Sequence, residues 1–102
     1  AAMLPHVIRY NGETVGQWYV DLLEVTAHAN GCPPPAGGPE ALAAYVAKLV
    51  QHAELPMTLG EMGVESAKLP LLAADAARQW TGSFNPRRVG AAELLAIYEK
   101  AF

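Results

Sequence analysis

The chain contains residue types that bind metal ions, but their spacing forms no metal-binding motif. It has three histidines and one cysteine. No two histidines stand four residues apart, and neither C-x-x-C nor H-E-x-x-H occurs. His28 and Cys32 are four residues apart, but Gly31 and the prolines that follow should end any helix between them. We therefore predict no metal site built from this chain alone. The ligands considered are the glutamates and His6, His28, His52, Cys32, Asp21 and Asp75.

The possible nucleophiles also lack a catalytic context. Ser66 and Ser83 do not lie in a G-x-S-x-G motif. Cys32 lies between Gly31 and Pro33, which indicates a loop, and a free thiol is reactive mainly where nearby positive charge lowers its pKa. No glycine-rich loop follows a strand, so neither a P-loop nor a dinucleotide fingerprint is present. We predict no catalytic residue in the chain, and a hydrolase that uses Cys32 is a weak alternative.

The most unusual stretch runs from Gln79 to Arg87. Two aromatic residues, Trp80 and Phe84, flank a Thr-Gly-Ser turn. Asn85 precedes a proline, which suits a helix start where the amide side chain caps free backbone N–H groups. The stretch is typical of a turn between helices, but polar groups between rigid aromatic rings can also line a pocket. Both interpretations stay open at this point.

Helices must position these residues, because the apolar spacing is helical throughout. Residues 14–29 and 39–53 each carry apolar side chains at i, i+3, i+4 and i+7, the pattern of one buried helix face. No stretch alternates with a period of two. We predict one all-α domain over residues 1–102, with four or five helices in a small orthogonal or antiparallel bundle and no sheet. The apolar positions are Val15, Trp18, Tyr19, Leu22, Leu23 and Thr26, and Leu42, Tyr45, Val46, Leu49, Val50 and Ala53.

Three further helices are predicted, two of them from capping signals and the last from its apolar face. Thr58 and Glu61 have the spacing of a capping box, which predicts a short helix there. Ser66 is the predicted cap of the next helix, whose apolar face extends from Leu69 to Trp80. The last helix is predicted over residues 90–101.

Composition excludes several classes of protein. Seven Lys and Arg against ten Asp and Glu give a net charge of -3, and no basic stripe exists for a nucleic acid. No apolar run approaches the ~18 residues of a membrane span. The start of the chain has no basic region typical of a signal peptide, and a single cysteine allows no intrachain disulfide. We expect a cytoplasmic protein.

Three stretches in register resemble one protein family, the group III iron-containing alcohol dehydrogenases. Residues 4–11, LPHVIRYN, are similar to the segment that follows the family's last metal-binding histidine. Residues 55–76 resemble its LPxxLxEhGV…DLPxLAxxA pattern. Residues 85–98 resemble its NPRxV…DVLxLYxxA ending. Each stretch alone is weakly specific, but their order and spacing agree along the whole chain.

The resemblance implies a fold, a function and a candidate site. The fold would be the C-terminal part of a dehydroquinate-synthase-like α domain. The intact enzymes would transfer hydride between NAD(P) and an alcohol or aldehyde, with a divalent metal, iron or zinc. Their cofactor domain and metal ligands, one aspartate and three histidines, lie upstream of the LPHV-like segment, and His6 matches a histidine that is not a ligand. The cofactor-binding residues carried over are Trp80, Thr81, Phe84 and Asn85, which would close over the nicotinamide end of the cleft.

Two functions remain open. The chain is either the C-terminal part of such a dehydrogenase, not catalytic alone, or a self-standing oligomerisation or binding module derived from one. The expected partner is the upstream dehydrogenase domain or a second copy of the chain. Self-association is expected through residues 1–10 and the turn around Trp80 and Phe84, because apolar surface without a covering partner tends to associate.

Overall fold

The computed structural model describes residues 1–102 and contains only helices and their connections. Two short 3₁₀ helices, Ser66–Lys68 and Trp80–Phe84, flank the third of four α-helices. This confirms the all-α prediction. The α-helices are α1 (Leu4–Ala29), α2 (Gly38–His52), α3 (Leu69–Ala77) and α4 (Ala91–Ala101).

Helix α1 begins at Leu4, so the sequence-based start at Thr14 was wrong. Asn11-Gly12, a pair that local preferences favour at a helix end, lies inside this helix. Pro5 lies in the first turn, where its missing N–H costs nothing because that group has no partner in a helix. The helix is kinked at Val15, whose backbone (φ -119°, ψ 31°) leaves the helical region. The kink separates an N-terminal half, residues 4–14, from a C-terminal half.

Helices α1 and α2 pack together as a hairpin around one apolar core. Its buried members are Ile8, Leu23, Leu42 and Ala43. In the turn between the helices, Gly37 and Gly38 have positive φ angles of 119° and 52°, which glycine adopts without steric cost because it has no Cβ. Arg9 on α1 donates two hydrogen bonds of 2.7 Å to the Glu40 carboxylate on α2, which ties the two helices together.

Helices α3 and α4 enclose a second core. Leu59, Leu69 and Ala101 are buried there, with Met3 from the start of α1 against them. The backbone N–H of Leu59 donates to Ala101 O at 2.8 Å, so the loop before α3 is fixed to the end of α4. Met3, just before α1, thus contacts the second core and Ile8 on α1 belongs to the first, so the start of the chain joins the two cores.

Two predicted helix starts differ from the structure. The capping contacts between Thr58 and Glu61 form: Glu61 N–H donates to Thr58 Oγ1 at 3.2 Å, and Thr58 N–H donates to Glu61 Oε2 at 3.3 Å. However, the residues that follow form turns and no helix. Gly63, with φ of 80°, takes the chain out of the helical region. Ser66 does not cap α3, because it lies inside the 3₁₀ helix and no side chain caps that segment. Helix α3 ends at Ala77, before Trp80.

The molecule is flat and exposes much apolar surface. It measures 45 × 30 × 19 Å with a radius of gyration of 14.8 Å, whereas a compact domain of this length has a radius near ~13 Å. Its accessible surface is 6722 Å², against roughly 5,500 Å² for a compact monomer of 10.8 kDa. No helix is both long and apolar enough to cross a bilayer. The large exposed apolar side chains include Trp18, Leu22, Val25, Tyr45, Leu49, Leu71, Trp80 and Phe84.

Candidate functional site

The turn formed by residues 80–84 presents two aromatic rings to solvent. Trp80 is 73% exposed and Phe84 is 75% exposed. Their ring centroids lie 5.6 Å apart with an interplanar angle of 86°, the edge-to-face geometry that aromatic pairs favour. Ser83 Oγ donates to Trp80 O at 2.7 Å and closes the turn between them. Such rings, held by each other and not by a core, are available to a ligand.

Cavities lie on both sides of this turn. One has a volume of about 710 Å³ and is lined by Gln79, Trp80, Ser83 and Asn85, with Arg78 and Arg88 among its polar groups. The other, of about 370 Å³, is lined by Thr81, Phe84 and Asn85 together with Tyr10 of α1. Each of the four residues proposed from the resemblance therefore lines at least one of these two cavities, which have aromatic walls and a few hydrogen-bonding groups.

Asn85 does not start the last helix, which corrects the prediction that it caps that helix. Helix α4 begins at Ala91, and Glu93 Oε2 accepts from Gly90 N–H at 2.9 Å. Asn85 instead pairs with Asn11 of α1: Asn11 Nδ2 donates to Asn85 Oδ1 at 2.9 Å, and Asn85 Nδ2 donates to Asn11 Oδ1 at 2.8 Å. Asn85 Nδ2 also donates to Arg87 O.

Arg87 makes a second connection to α1. Its guanidinium lies 4.0 Å from the centroid of the Tyr10 ring, donates to Tyr10 O at 2.7 Å and forms an ion pair of 2.8 Å with Glu13. In return, the Tyr10 hydroxyl donates to Arg88 O at 2.6 Å. Residues 10–13 of α1 thus hold residues 85–88 through side chains on both segments.

The sequence analysis missed this network because its partners are 74 to 78 residues apart. Local spacing carries no signal for such a contact. Asn11 and Arg87 entered the sequence analysis only as members of family-like segments, without a predicted contact. A polar residue that is 4% exposed, as Asn11 is, must find hydrogen-bond partners, but the sequence does not say where.

The metal-ligand candidates do not converge. His28 Nδ1 lies 3.0 Å from Glu24 O and His52 Nδ1 lies 2.7 Å from Lys48 O, each on its own helix. Cys32 is exposed in the α1–α2 loop. No group of three or more His, Cys, Asp or Glu side chains is placed to bind a metal ion. The residues present therefore do not fit a metal centre.

Two perturbed groups near the site have structural explanations. Burial lowers the pKa of His6, and the positive charges of Arg9 and Lys100 lower it further. The Glu93 carboxylate accepts hydrogen bonds from the backbone N–H groups of Glu93 and Gly90, which lower its pKa. The His6 shift follows from partial burial beside two cations and the Glu93 shift from the start of α4, so neither is evidence of acid–base catalysis.

These features define a helical domain with a polar and aromatic turn at its edge, and comparison with known proteins identifies its family. The chain belongs to the Fe-containing alcohol dehydrogenase family and matches the C-terminal part of that family over residues 1–102. This confirms the resemblance found from the three sequence stretches.

Two relatives of the chain are both 1,3-propanediol dehydrogenases, from different bacteria. The chain is 30% identical to the 1,3-propanediol dehydrogenase of Klebsiella pneumoniae over 103 residues and 28% identical to that of Citrobacter freundii over 102 residues. Each match covers 100% of this chain and 26% of the relative, so the chain spans about a quarter of their length. No solved structure matches the chain significantly.

Proposed function

We propose that residues 1–102 form the C-terminal helical part of a metal-dependent alcohol dehydrogenase that uses NAD(P). Within that enzyme, Trp80, Thr81, Phe84 and Asn85 would bind the nicotinamide end of the cofactor. The proposal is supported by the family match over the whole chain and by the exposed turn between two cavities.

One observation carries the assignment of the turn: its two large aromatic side chains are exposed while the residue that follows them is anchored. Rings that are 73% and 75% exposed contribute little to this chain's own cores. The Asn85–Asn11 pair nevertheless holds the end of the turn in place. A rigid turn that offers unused aromatic surface fits a planar ligand ring better than it fits a connection between helices.

The residues of the turn fit the nicotinamide end of NAD(P) and not its phosphates. When bound, the cofactor supplies hydride transfer between C4 of its ring and the substrate carbon. Trp80 and Phe84 would contact that ring and exclude water, and the Thr81 hydroxyl would bind a polar group such as the carboxamide. Residues that cradle the pyrophosphate, and the ligands of the divalent metal, would lie outside residues 1–102.

The exposed apolar surface is proposed to pack against the rest of the same enzyme. The accessible surface of the chain exceeds that of a compact monomer by roughly 1,200 Å². This excess is larger than the area of about 800 Å² that each partner buries in a standard protein–protein interface. The alternative partner is a second copy, associating through residues 1–10 and the turn. Ala2, Pro5 and Ile8 are buried within the chain, so Leu4, Trp80 and Phe84 would form that contact.

The activity of the complete gene product that contains residues 1–102 tests the proposal. Loaded with ferrous iron or zinc, it should reduce NAD(P)⁺ in the presence of a primary alcohol, with 1,3-propanediol as one substrate to try. Absence of turnover together with absence of NADH binding would contradict the proposal. A stable homodimer of that inactive product, seen by sedimentation, would favour the self-standing module instead.

A further inference from the structure

The conformation of the exposed turn depends on helix α1, because every hydrogen bond within the turn is local. Gly82 N–H donates to Gln79 O at 3.0 Å and Asn85 N–H donates to Gly82 O at 3.2 Å. The Ser83–Trp80 contact is local as well. A short 3₁₀ segment with a central glycine has weak intrinsic preference for one conformation. Its shape must therefore be set at its ends.

The contact between Asn11 and Asn85 is best suited to fix the C-terminal end of the turn. Asn11 is 4% exposed and is the only buried polar residue of the chain. Each amide donates one hydrogen bond to the other amide, so Asn11 Nδ2 and both amide oxygens have a partner only when Asn85 lies opposite Asn11. A buried amide without its partner is strongly disfavoured, which makes this register specific.

Tyr10 and Glu13 extend the same contact by one helical turn on α1. Tyr10 holds the carbonyl of Arg88, and Glu13 holds the Arg87 guanidinium that also covers the Tyr10 ring. Three anchor points, on residues 85, 87 and 88, therefore restrain the segment that follows Phe84.

We infer that Asn11 is a positioning residue for the turn, and that Asn11, Tyr10 and Glu13 together fix the pose of Trp80 and Phe84 from the opposite end of the chain. The consequence for cofactor binding rests on the proposed function, whereas the consequence for the turn itself does not.

The motion of Trp80 tests the inference directly. The chain has two tryptophans, so Trp18→Phe leaves Trp80 as the only reporter. In that background, Asn11→Ala and Asn85→Ala should each increase the amplitude of the fast decay of Trp80 fluorescence anisotropy, and the double variant should add nothing further. Asn30→Ala is the matched control, because Asn30 Nδ2 donates only to Thr26 O at the end of α1 and should change nothing.

Equal anisotropy in Asn11→Ala and Asn30→Ala, or additive effects of the two amide substitutions, would overturn the inference. Circular dichroism reports whether each variant is folded. If Asn11→Ala unfolds, Tyr10→Phe decides the question, since it removes only the hydroxyl that holds Arg88 O and keeps the ring. It should increase the same fast motion by a smaller amount, and an unchanged decay would refute the inference.

A second arm separates this inference from the proposed function. In the complete gene product, Asn11→Ala should raise the KM for NAD(P)H by about tenfold, equivalent to ~1.4 kcal/mol, with a smaller change in kcat. Altered Trp80 motion with an unchanged KM would support the positioning role and contradict the cofactor role of the turn. Unaltered motion would refute the positioning role whatever the KM.

Discussion

Gly12 and Pro39 are in direct contact where α1 crosses the start of α2. A Cβ placed on Gly12 would lie 2.4 Å from Pro39 Cβ, a separation that real side chains do not tolerate. One turn later, a Cβ on Gly16 would lie 3.4 Å from Pro39 Cγ, close to ordinary van der Waals contact. Gly12 thus allows the two helices to approach, although glycine is a poor helix former.

Gly12→Ala should destabilise the chain by ~1–2 kcal/mol. Overpacking a helix contact costs about 1–3 kcal/mol, and the gain in helix propensity, up to ~1 kcal/mol, offsets only part of it. Gly16→Ala is the control and should be neutral or slightly stabilising. Urea unfolding at pH 7 measures both variants, and equal stability of the two would show that the helices do not approach as closely as described.

The Gly12 contact explains why the start of α1 was mispredicted. Asn-Gly is common at helix ends, so local sequence favours a break at residues 11–12. Packing outweighs that preference, because Gly12 admits Pro39 and Asn11 pairs with Asn85. Both reasons involve residues far along the chain, and no local pattern shows them.

Other elements could be predicted because their causes are local. The apolar residues of α2 and α4 recur with the 3.6-residue period of a helix, and both helices begin and end within one residue of the predicted bounds. The Thr58–Glu61 capping contacts also form, but Gly63 prevents a helix from following. The candidate turn could be singled out from its two aromatic residues around Thr-Gly-Ser, and its cofactor role was implied by the family resemblance, whereas its anchor to α1 required the structure.

Arg87→Lys should lower the free energy of unfolding by ~1–2 kcal/mol. Lysine cannot cover the Tyr10 ring and at the same time reach Tyr10 O and Glu13, so a charged hydrogen bond and part of the cation–π contact are lost. Arg78→Lys is the matched control: Arg78 pairs with Asp75 on the surface of α3, and its loss should stay within ~0.5 kcal/mol. Thermal and urea unfolding give both values, and equal losses would contradict the described role of Arg87.

His6 should titrate below its ordinary pKa of 6.5. Burial and the charges of Arg9 and Lys100 disfavour its protonated form in the folded chain. Since the unfolded state then binds the proton more readily, the contribution of His6 to stability is complete above pH 6.5 and falls as the pH drops through the folded pKa. Proton NMR of the imidazole measures the pKa of His6, and a value at or above 6.5 would contradict this prediction.

The pH dependence of stability provides a second measurement. His6→Gln should make the unfolding free energy less dependent on pH just below 6.5 than it is in the parent chain. An identical slope in the His6 variant and the parent chain would assign the effect to other groups.

The KM for NAD(P)H of the complete gene product with Trp80→Ala tests the central claim most directly. Trp18→Ala is the control, because Trp18 is also exposed, at 63%, but lies on the C-terminal half of α1. Trp80→Ala should raise the KM for the cofactor about tenfold, or ~1.4 kcal/mol, while Trp18→Ala leaves it unchanged. An unchanged KM in Trp80→Ala, or the same increase in both variants, would show that this turn does not contact the nicotinamide cofactor.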